Sequence, residues 1–210
     1  LASYGFYFIA DPRYLIFIAV TTVTTFLAAR AISDKKEAFD TWFKEHKKEY
    51  EKEERKDLKA KEHAKEKRIF LACLVLNIGI LAVTKYTNFT IANINSLLEA
   101  FGNESGISFV DLVIPMGISF YTFQSMGYLI DVYNGKYLAQ RNLFKFALFV
   151  SFFPQLVQGP ISRYSDLSKT LFEEHRFDLK TVAFGLQRIL WGFFKKLVIA
   201  DRILVAVQAI

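Results

Sequence analysis

Cysteine, histidine and proline are scarce in this chain, and their scarcity removes several chemistries at once. The single cysteine, Cys73, sits in an apolar run, which excludes a disulfide framework or a multi-cysteine metal site and reads as a small core residue. The three histidines, His46, His63 and His175, all lie outside the apolar segments. His46 and His63 belong to a charged block and read as solvated; His175, between Glu174 and Arg176, reads as a surface residue. No Cys/His cluster, P-loop, Gly-rich dinucleotide turn or HExxH pattern occurs, so no metal site and no nucleophile–base pair is expected. Two local absences matter more. Glycine and proline are missing from Ser33 to Arg68, and charge is missing from Leu112 to Ile130.

What is present points to membrane. Hydrophobic residues make up 52% of the 210 and aromatics 16%, with Phe alone contributing 22, a composition that fits an all-α, polytopic transmembrane bundle better than a soluble domain. Of the 27 basic residues, 13 fall between residues 33 and 68, so the net charge of +6 reports topology rather than nucleic-acid binding. The expected partner is membrane lipid, with no nucleic acid.

Taken in order, residues 1–10 read as the tail of a spanning helix, Asp11-Pro12-Arg13 as a polar turn, and Tyr14 to Ile32 as the next span. Residues 33–68 form a charged linker, expected to be one solvated helix and, by the positive-inside rule, cytoplasmic. Its first half carries Phe39, Trp42, Phe43, His46 and Tyr50 at helical spacing, an aromatic stripe suited to a membrane interface; its second half has no apolar face and should project into water. Residues 69–210 form the remaining transmembrane core. Ile69 to Lys85 spans, with Asn77 as an interhelical hydrogen bond, and Tyr86 to Gly106 reads as an external loop in which Asn88 and Asn103 fit the glycosylation pattern. Phe146 to Ser162 crosses outward. A last segment, Thr181 to Ile210, carries Arg188, Lys195 and Arg202 seven apart on one face, which lies either in the headgroup layer or towards a polar interior. The chain begins and ends inside apolar segments and reads as part of a longer protein.

The uncharged run from Leu112 to Ile130 is long enough to cross a bilayer, yet it holds Ser119, Tyr121, Thr122, Gln124 and Tyr128. Facing lipid, each unpaired polar group would cost roughly 1–3 kcal/mol, so these side chains must face protein or water. Pro115 and Gly117 break the helical bonding at its start, and Asp131 closes it with a carboxylate that could neutralise Arg163 or a base elsewhere in the bundle, or serve simply as an interface anchor beside Tyr133. A second broken run, from Phe152 to Arg163, contains Phe153, Pro154, Gln155, Gly159 and Pro160. On residue chemistry alone, transport and intramembrane catalysis remain open, because both use broken helices.

Three linked blocks then carry a resemblance: Pro115-Met-Gly-Ile-Ser-Phe-Tyr-Thr-Phe-Gln124, Tyr128-Leu-Ile-Asp-Val-Tyr-Asn-Gly135 and Phe152-Phe-Pro-Gln-Leu-Val-Gln-Gly-Pro-Ile-Ser-Arg163. Together they resemble the membrane-bound O-acyltransferase family, in the branch of the alginate O-acetylases and D-alanyl–teichoic-acid transferases, over about its N-terminal half. The resemblance implies an acyl thioester donor, acetyl-CoA or an acyl carrier protein, on the cytoplasmic side and no bound cofactor. It implies a hydroxyl acceptor outside: an extracellular polysaccharide, or an accessory extracellular acyltransferase that passes the group on. The catalytic histidine it implies lies in the other half, so no catalytic residue is expected in this chain. In that frame Ser119, Tyr121, Gln124, Tyr128, Asp131, Gln155 and Arg163 line the substrate cavity, with Arg188 and Lys195 as further charge-handling candidates. Pro115, Gly117, Phe120, Phe123, Tyr133, Gly135, Phe153, Pro154, Gly159 and Pro160 shape the backbone around it.

Overall fold

The computed structural model describes residues 2–47, 49–101, 106–156, 161–174 and 176–208, and no strand occurs among them. Two compact units are present, Leu1–Phe172 and Glu173–Ile210. The first contains α1 (Ala2–Ala10), α2 (Tyr14–His46), α3 (Lys52–Ala100), α4 (Ile118–Tyr133), α5 (Leu143–Ser151), the short α6 (Phe153–Leu156) and α7 (Tyr164–Phe172). The polar turn between α1 and α2 forms as its residues predict. Arg13 donates from its backbone N–H and its guanidinium to the Asp11 carboxylate at 2.8–3.1 Å, which holds that carboxyl below its ordinary range.

Among the described residues, α2 and α3 are the helices long and apolar enough to cross a membrane, and α2 is the central post, packing against α3, α4 and α5. Two of its threonines bond back one turn, Thr22 to the Ile18 carbonyl and Thr24 to the Val20 carbonyl, both at 2.7 Å. Asn77 of α3 reaches across to Thr24 at 3.2 Å, as the sequence suggests, and Cys73 is a free, buried core residue. The core gathers Ile18, Ala29 and Ile32 of α2, Tyr121, Tyr128 and Leu129 of α4, and Phe146, Phe149 and Val150 of α5, each almost wholly buried.

The linker departs from expectation. Instead of one solvated helix over 33–68, the chain turns between His46 and Lys52 and doubles back. Glu51 is extended and forms a reciprocal capping box with Glu54, a local signal strong enough to start a new helix without glycine or proline. The aromatic stripe consequently faces α3 rather than a membrane surface. Phe39 stacks on Phe43 at 5.5 Å, Trp42 on His46 at 5.0 Å, Phe43 is buried, and the Lys59 ammonium of α3 lies 4.8 Å from its ring centroid. Large rings lose more water contact inside such a hairpin than on a single helix.

The external loop expected after Lys85 is also overturned, since α3 stays helical to Ala100. The asparagines are the reason for the shape beyond it. Asn88 brackets Val110, donating to its carbonyl at 2.8 Å and accepting from its N–H at 3.0 Å, and Asn95 does the same to Ile107 at 2.9 and 2.7 Å. Seven residues apart, the two amides share a helix face and pin the non-helical segment 106–116 along α3. Asn103, the other residue in a glycosylation pattern, lies outside the described residues. The double substitution Asn88→Leu and Asn95→Leu should release this segment, seen as at least tenfold faster amide exchange at Val110 and Ile107; unchanged exchange would show that the clips are dispensable.

Helix α4 begins where Gly117, at φ 72°, turns the chain through the left-handed region that favours glycine. Its 16 residues make roughly 24 Å of helix, and the first part of the uncharged run, residues 112–117, is not helical. The crossing expected from Phe146 to Ser162 is likewise interrupted. The Asn142 side chain caps α5, accepting from Phe144 and Lys145 N–H, and the helix stops after nine residues at the break before Pro154.

The second unit consists of α8 (Leu179–Phe194), a π-helical turn (Lys195–Ala200) and α9 (Asp201–Gln208). Asp178 caps α8 through the Thr181 hydroxyl and N–H and the Lys180 N–H, which lowers its carboxyl from the ordinary value. The π turn corrects the heptad reading. It carries an extra residue, so Arg202 is rotated by about 100° from the face shared by Arg188 and Lys195. Lys196 pairs with Asp201, five residues on, at 3.5 Å, a spacing that suits the wider turn.

Candidate functional site

The polar residues of α4 lie on the side of the helix that the bundle covers. Tyr121, Thr122, Gln124, Ser125 and Tyr128 are buried, with Ser119 half-buried at the start, whereas Phe123, Gly127 and Ile130 face outward. This is the arrangement the cost of stranding hydroxyls and an amide in hydrocarbon demands.

Each buried group has a different fate. The Gln124 amide donates to the Phe149 carbonyl at 3.1 Å. That carbonyl belongs to the last turn of α5, where a helix leaves its acceptors without intrahelical donors. Gln124 therefore braces the broken end of α5 from across the bundle. The Tyr121 hydroxyl and the Ser125 hydroxyl are buried with no hydrogen-bond partner among the described residues. Orphaned hydroxyls of this kind are the polar groups of α4 still available to a substrate or a neighbouring segment.

At the C-terminal end of α4 a denser cluster forms. The Tyr128 hydroxyl accepts from the Gln140 backbone N–H at 2.8 Å, and the Gln140 side chain donates to the Tyr164 hydroxyl at 2.9 Å. Its carbonyl oxygen also takes the Asn142 N–H at 3.0 Å. The Tyr128 ring packs against Phe146 at 4.7 Å, Tyr164 at 4.8 Å and Tyr137 at 5.9 Å. Beside it Asp131 pairs with Lys136 at 2.5 Å and accepts from the Tyr137 hydroxyl at 3.3 Å. Burial, and then the Asp131 charge, push the Tyr137 phenol above its ordinary value, so it stays a donor at neutral pH.

Compared with known proteins, the chain is 41% identical over 61% of its length to a probable alginate O-acetylase of Azotobacter vinelandii, the match taking in 25% of that protein. It is 31% identical over 64% of its length to a peptidoglycan O-acetyltransferase of Helicobacter pylori, covering 30% of it, and 28% identical over 62% to a teichoic acid D-alanyltransferase of Lacticaseibacillus rhamnosus, covering 29%. These relatives, which match about 60% of this chain, are members of the membrane-bound O-acyltransferase family. The chain's match spans between a quarter and a third of these three relatives. No family model and no solved structure matches it.

The other predicted residues fall in several places. Asp131 takes Lys136, not Arg163, as its partner, and Arg163 is exposed at the start of α7. Gln155 donates to the Ser162 hydroxyl, tying the two ends of the broken run. Pro115 is buried, Phe120 half-buried, Phe153 stacks on Phe6 at 5.0 Å, and Pro154 is exposed. Gly135 turns at φ 73° beneath the Lys36 side chain. Gly159, Pro160 and His175 lie outside the described residues. His63 is exposed yet engaged, its ring stacked on Tyr133 at 5.3 Å and its Nε2 3.0 Å from the Tyr133 hydroxyl, while Phe70 also stacks on Tyr133, at 4.7 Å.

A mainly apolar cavity of about 510 Å³ between α1, α2 and α5, edged by Ser3, Thr22 and Ser151, contains none of the predicted site residues. Among the described residues no group of three or more His, Cys, Asp or Glu side chains is placed to share a metal ion. Sequence reasoning missed Gln140, Tyr137 and Tyr164. The only signal for them was an aromatic and amide excess just after the recognised blocks, which carries no spacing rule. Amides and hydroxyls of this kind orient and donate but are poor proton acceptors, so the α4 face can position a reactant and cannot by itself activate one.

Proposed function

We propose that this chain forms part of a multi-pass membrane O-acyltransferase that moves an acetyl group from a cytoplasmic thioester donor to hydroxyls of an extracellular polysaccharide. The observation that carries this reading is the 41% identity to the alginate O-acetylase, set beside lower identities to relatives that act on peptidoglycan and teichoic acid. Residues 33–68 lie on the cytoplasmic side, because the basic block favours that face. The donor is acetyl-CoA or an acyl carrier protein, and the acceptor receives the group directly or through an accessory extracellular acyltransferase. A histidine base supplied by another part of the protein removes the acceptor's hydroxyl proton as it attacks the thioester, in a pocket that excludes water.

The α4 face serves positioning. The unpartnered Tyr121 and Ser125 hydroxyls orient a reactant, and Gln124 and Gln155 hold the broken run at the distance this requires. D-alanyl transfer to teichoic acid is the competing outcome, and one experiment separates the two. The gene is deleted in the producing organism and alkali-released acyl groups of the cell-surface polymers are identified by mass. Loss of acetate, restored by the intact gene, is the expected result; loss of D-alanine with acetate unchanged would replace the acetyl assignment.

A further inference from the structure

The α2–α3 hairpin carries a groove of about 500 Å³ that the acyl-transfer reading does not use. Its floor is Phe39, Trp42, Leu58 and Ala64, and its edge is formed by Lys61, Lys65 and Arg68 of α3. The cations stand at i, i+4 and i+7, the spacing that keeps side chains on one helix face. One carboxylate, Glu62, lines the same groove and pairs with Lys65 at 2.8 Å, so three cations face one anion.

Position along the helix decides what such a groove would meet. Arg68 is the last charged residue before the uncharged run from Ile69 to Thr84, so it stands at the membrane boundary of α3. From there Lys65 is about 4.5 Å and Lys61 about 10 Å further out, at 1.5 Å per residue. The headgroup layer is roughly 5–7 Å deep on each side of the hydrocarbon core. Arg68 and Lys65 therefore lie within it, and the Lys61 side chain reaches back to it along its methylene stem. Trp42 is partly exposed and lines the same groove.

We propose that this groove is a binding site for an anionic glycerophospholipid, with the headgroup phosphate between Lys65 and Arg68 and Lys61 as the outer cation. The site rests on the membrane-embedded reading of α2 and α3. It anchors the charged hairpin to the leaflet from which α3 enters, and so fixes the tilt of the helix pair on which α4 packs.

The test uses the intact protein, purified in detergent and reconstituted into nanodiscs of phosphatidylcholine alone or mixed with phosphatidylglycerol. Native mass spectrometry counts retained phosphatidylglycerol, and Trp42 fluorescence in a Trp191→Phe background reports occupancy. The expected result is selective retention of phosphatidylglycerol, with affinity falling roughly fivefold for each of Lys61→Gln, Lys65→Gln and Arg68→Gln. The matched charge loss Lys44→Gln, Lys52→Gln and Lys56→Gln, on the same hairpin but outside the groove, should leave selectivity unchanged. Equal loss in both sets would reduce the effect to bulk charge and overturn the site. Equal competition by soluble glycerol phosphate would show an ion site without lipid selectivity, and overturn it too. Carbonate extraction of the same membranes reads the underlying assumption separately: protein that stays in the pellet but shows no phosphatidylglycerol preference refutes the lipid site alone.

Discussion

Replacing Tyr128 by Ala in the intact protein is expected to lower its stability by about 3–5 kcal/mol, the cost of removing a fully buried aromatic side chain. Few single changes in the first unit should cost more. The Tyr128 ring touches Tyr137, Phe146, Phe149 and Tyr164, so its loss opens a cavity shared by α4, α5, α7 and the loop between α4 and α5. That cost survives in a membrane, because close packing between helices contributes there even where the hydrophobic effect does not. Tyr128→Phe keeps the ring and removes only the acceptor of the Gln140 N–H, and should cost about 1 kcal/mol. The thermal midpoint of the detergent-solubilised protein, followed by size-exclusion chromatography after heating, distinguishes the two. A Phe variant as unstable as the Ala variant would place the energy in the hydrogen bond rather than in packing.

The second large effect is on transfer. Gln124→Leu keeps the side chain's size but leaves the Phe149 carbonyl without its donor at the break between α5 and α6. The freed end of α5 should shift the run that follows, and a misplacement of about 1 Å in a reactant-positioning element can cost on the order of 100-fold in rate. Acyl transfer in membranes carrying Gln124→Leu should therefore fall by roughly 10–100-fold while the protein remains membrane-bound at normal abundance. Gln155→Leu, which severs the tie to Ser162, should act in the same direction. Full transfer by both variants would remove these amides from the positioning machinery.

How far the sequence could be read depended on the kind of signal each element carries. The helices α2 and α4, the Asp11 turn, the Gly117 break and the Asn77 cross-link were legible, because apolar runs, prolines, glycines and lone polar groups in hydrocarbon have few structural solutions. The burial of the α4 hydroxyls followed from the same argument. The reversal between α2 and α3 was not legible, because a Glu51–Glu54 capping box inside a glutamate-rich helix former looks like more helix. The stretch after Lys85 misled in the opposite sense. With almost no Lys or Arg it reads as an external loop, but it continues the helix, and Asn88 and Asn95 hold a loop against it. The Arg188, Lys195 and Arg202 stripe failed because a π turn changes the period on which the stripe was counted. Gln140 was invisible for a further reason: its role depends on three chain segments meeting, and no local pattern records that.

On the proposed function, this chain helps an acyl group pass from a thioester to a polymer hydroxyl. The most direct measurement is transfer itself, in membrane vesicles prepared from the producing organism with and without the intact gene. Vesicles are loaded with labelled acetyl-CoA on the cytoplasmic side, and the label is followed onto polysaccharide on the other side. The account predicts polymer-bound, alkali-labile acetate only where the intact gene is present, and its sharp reduction by Gln124→Leu. Label that reaches the polymer equally without the gene would contradict it.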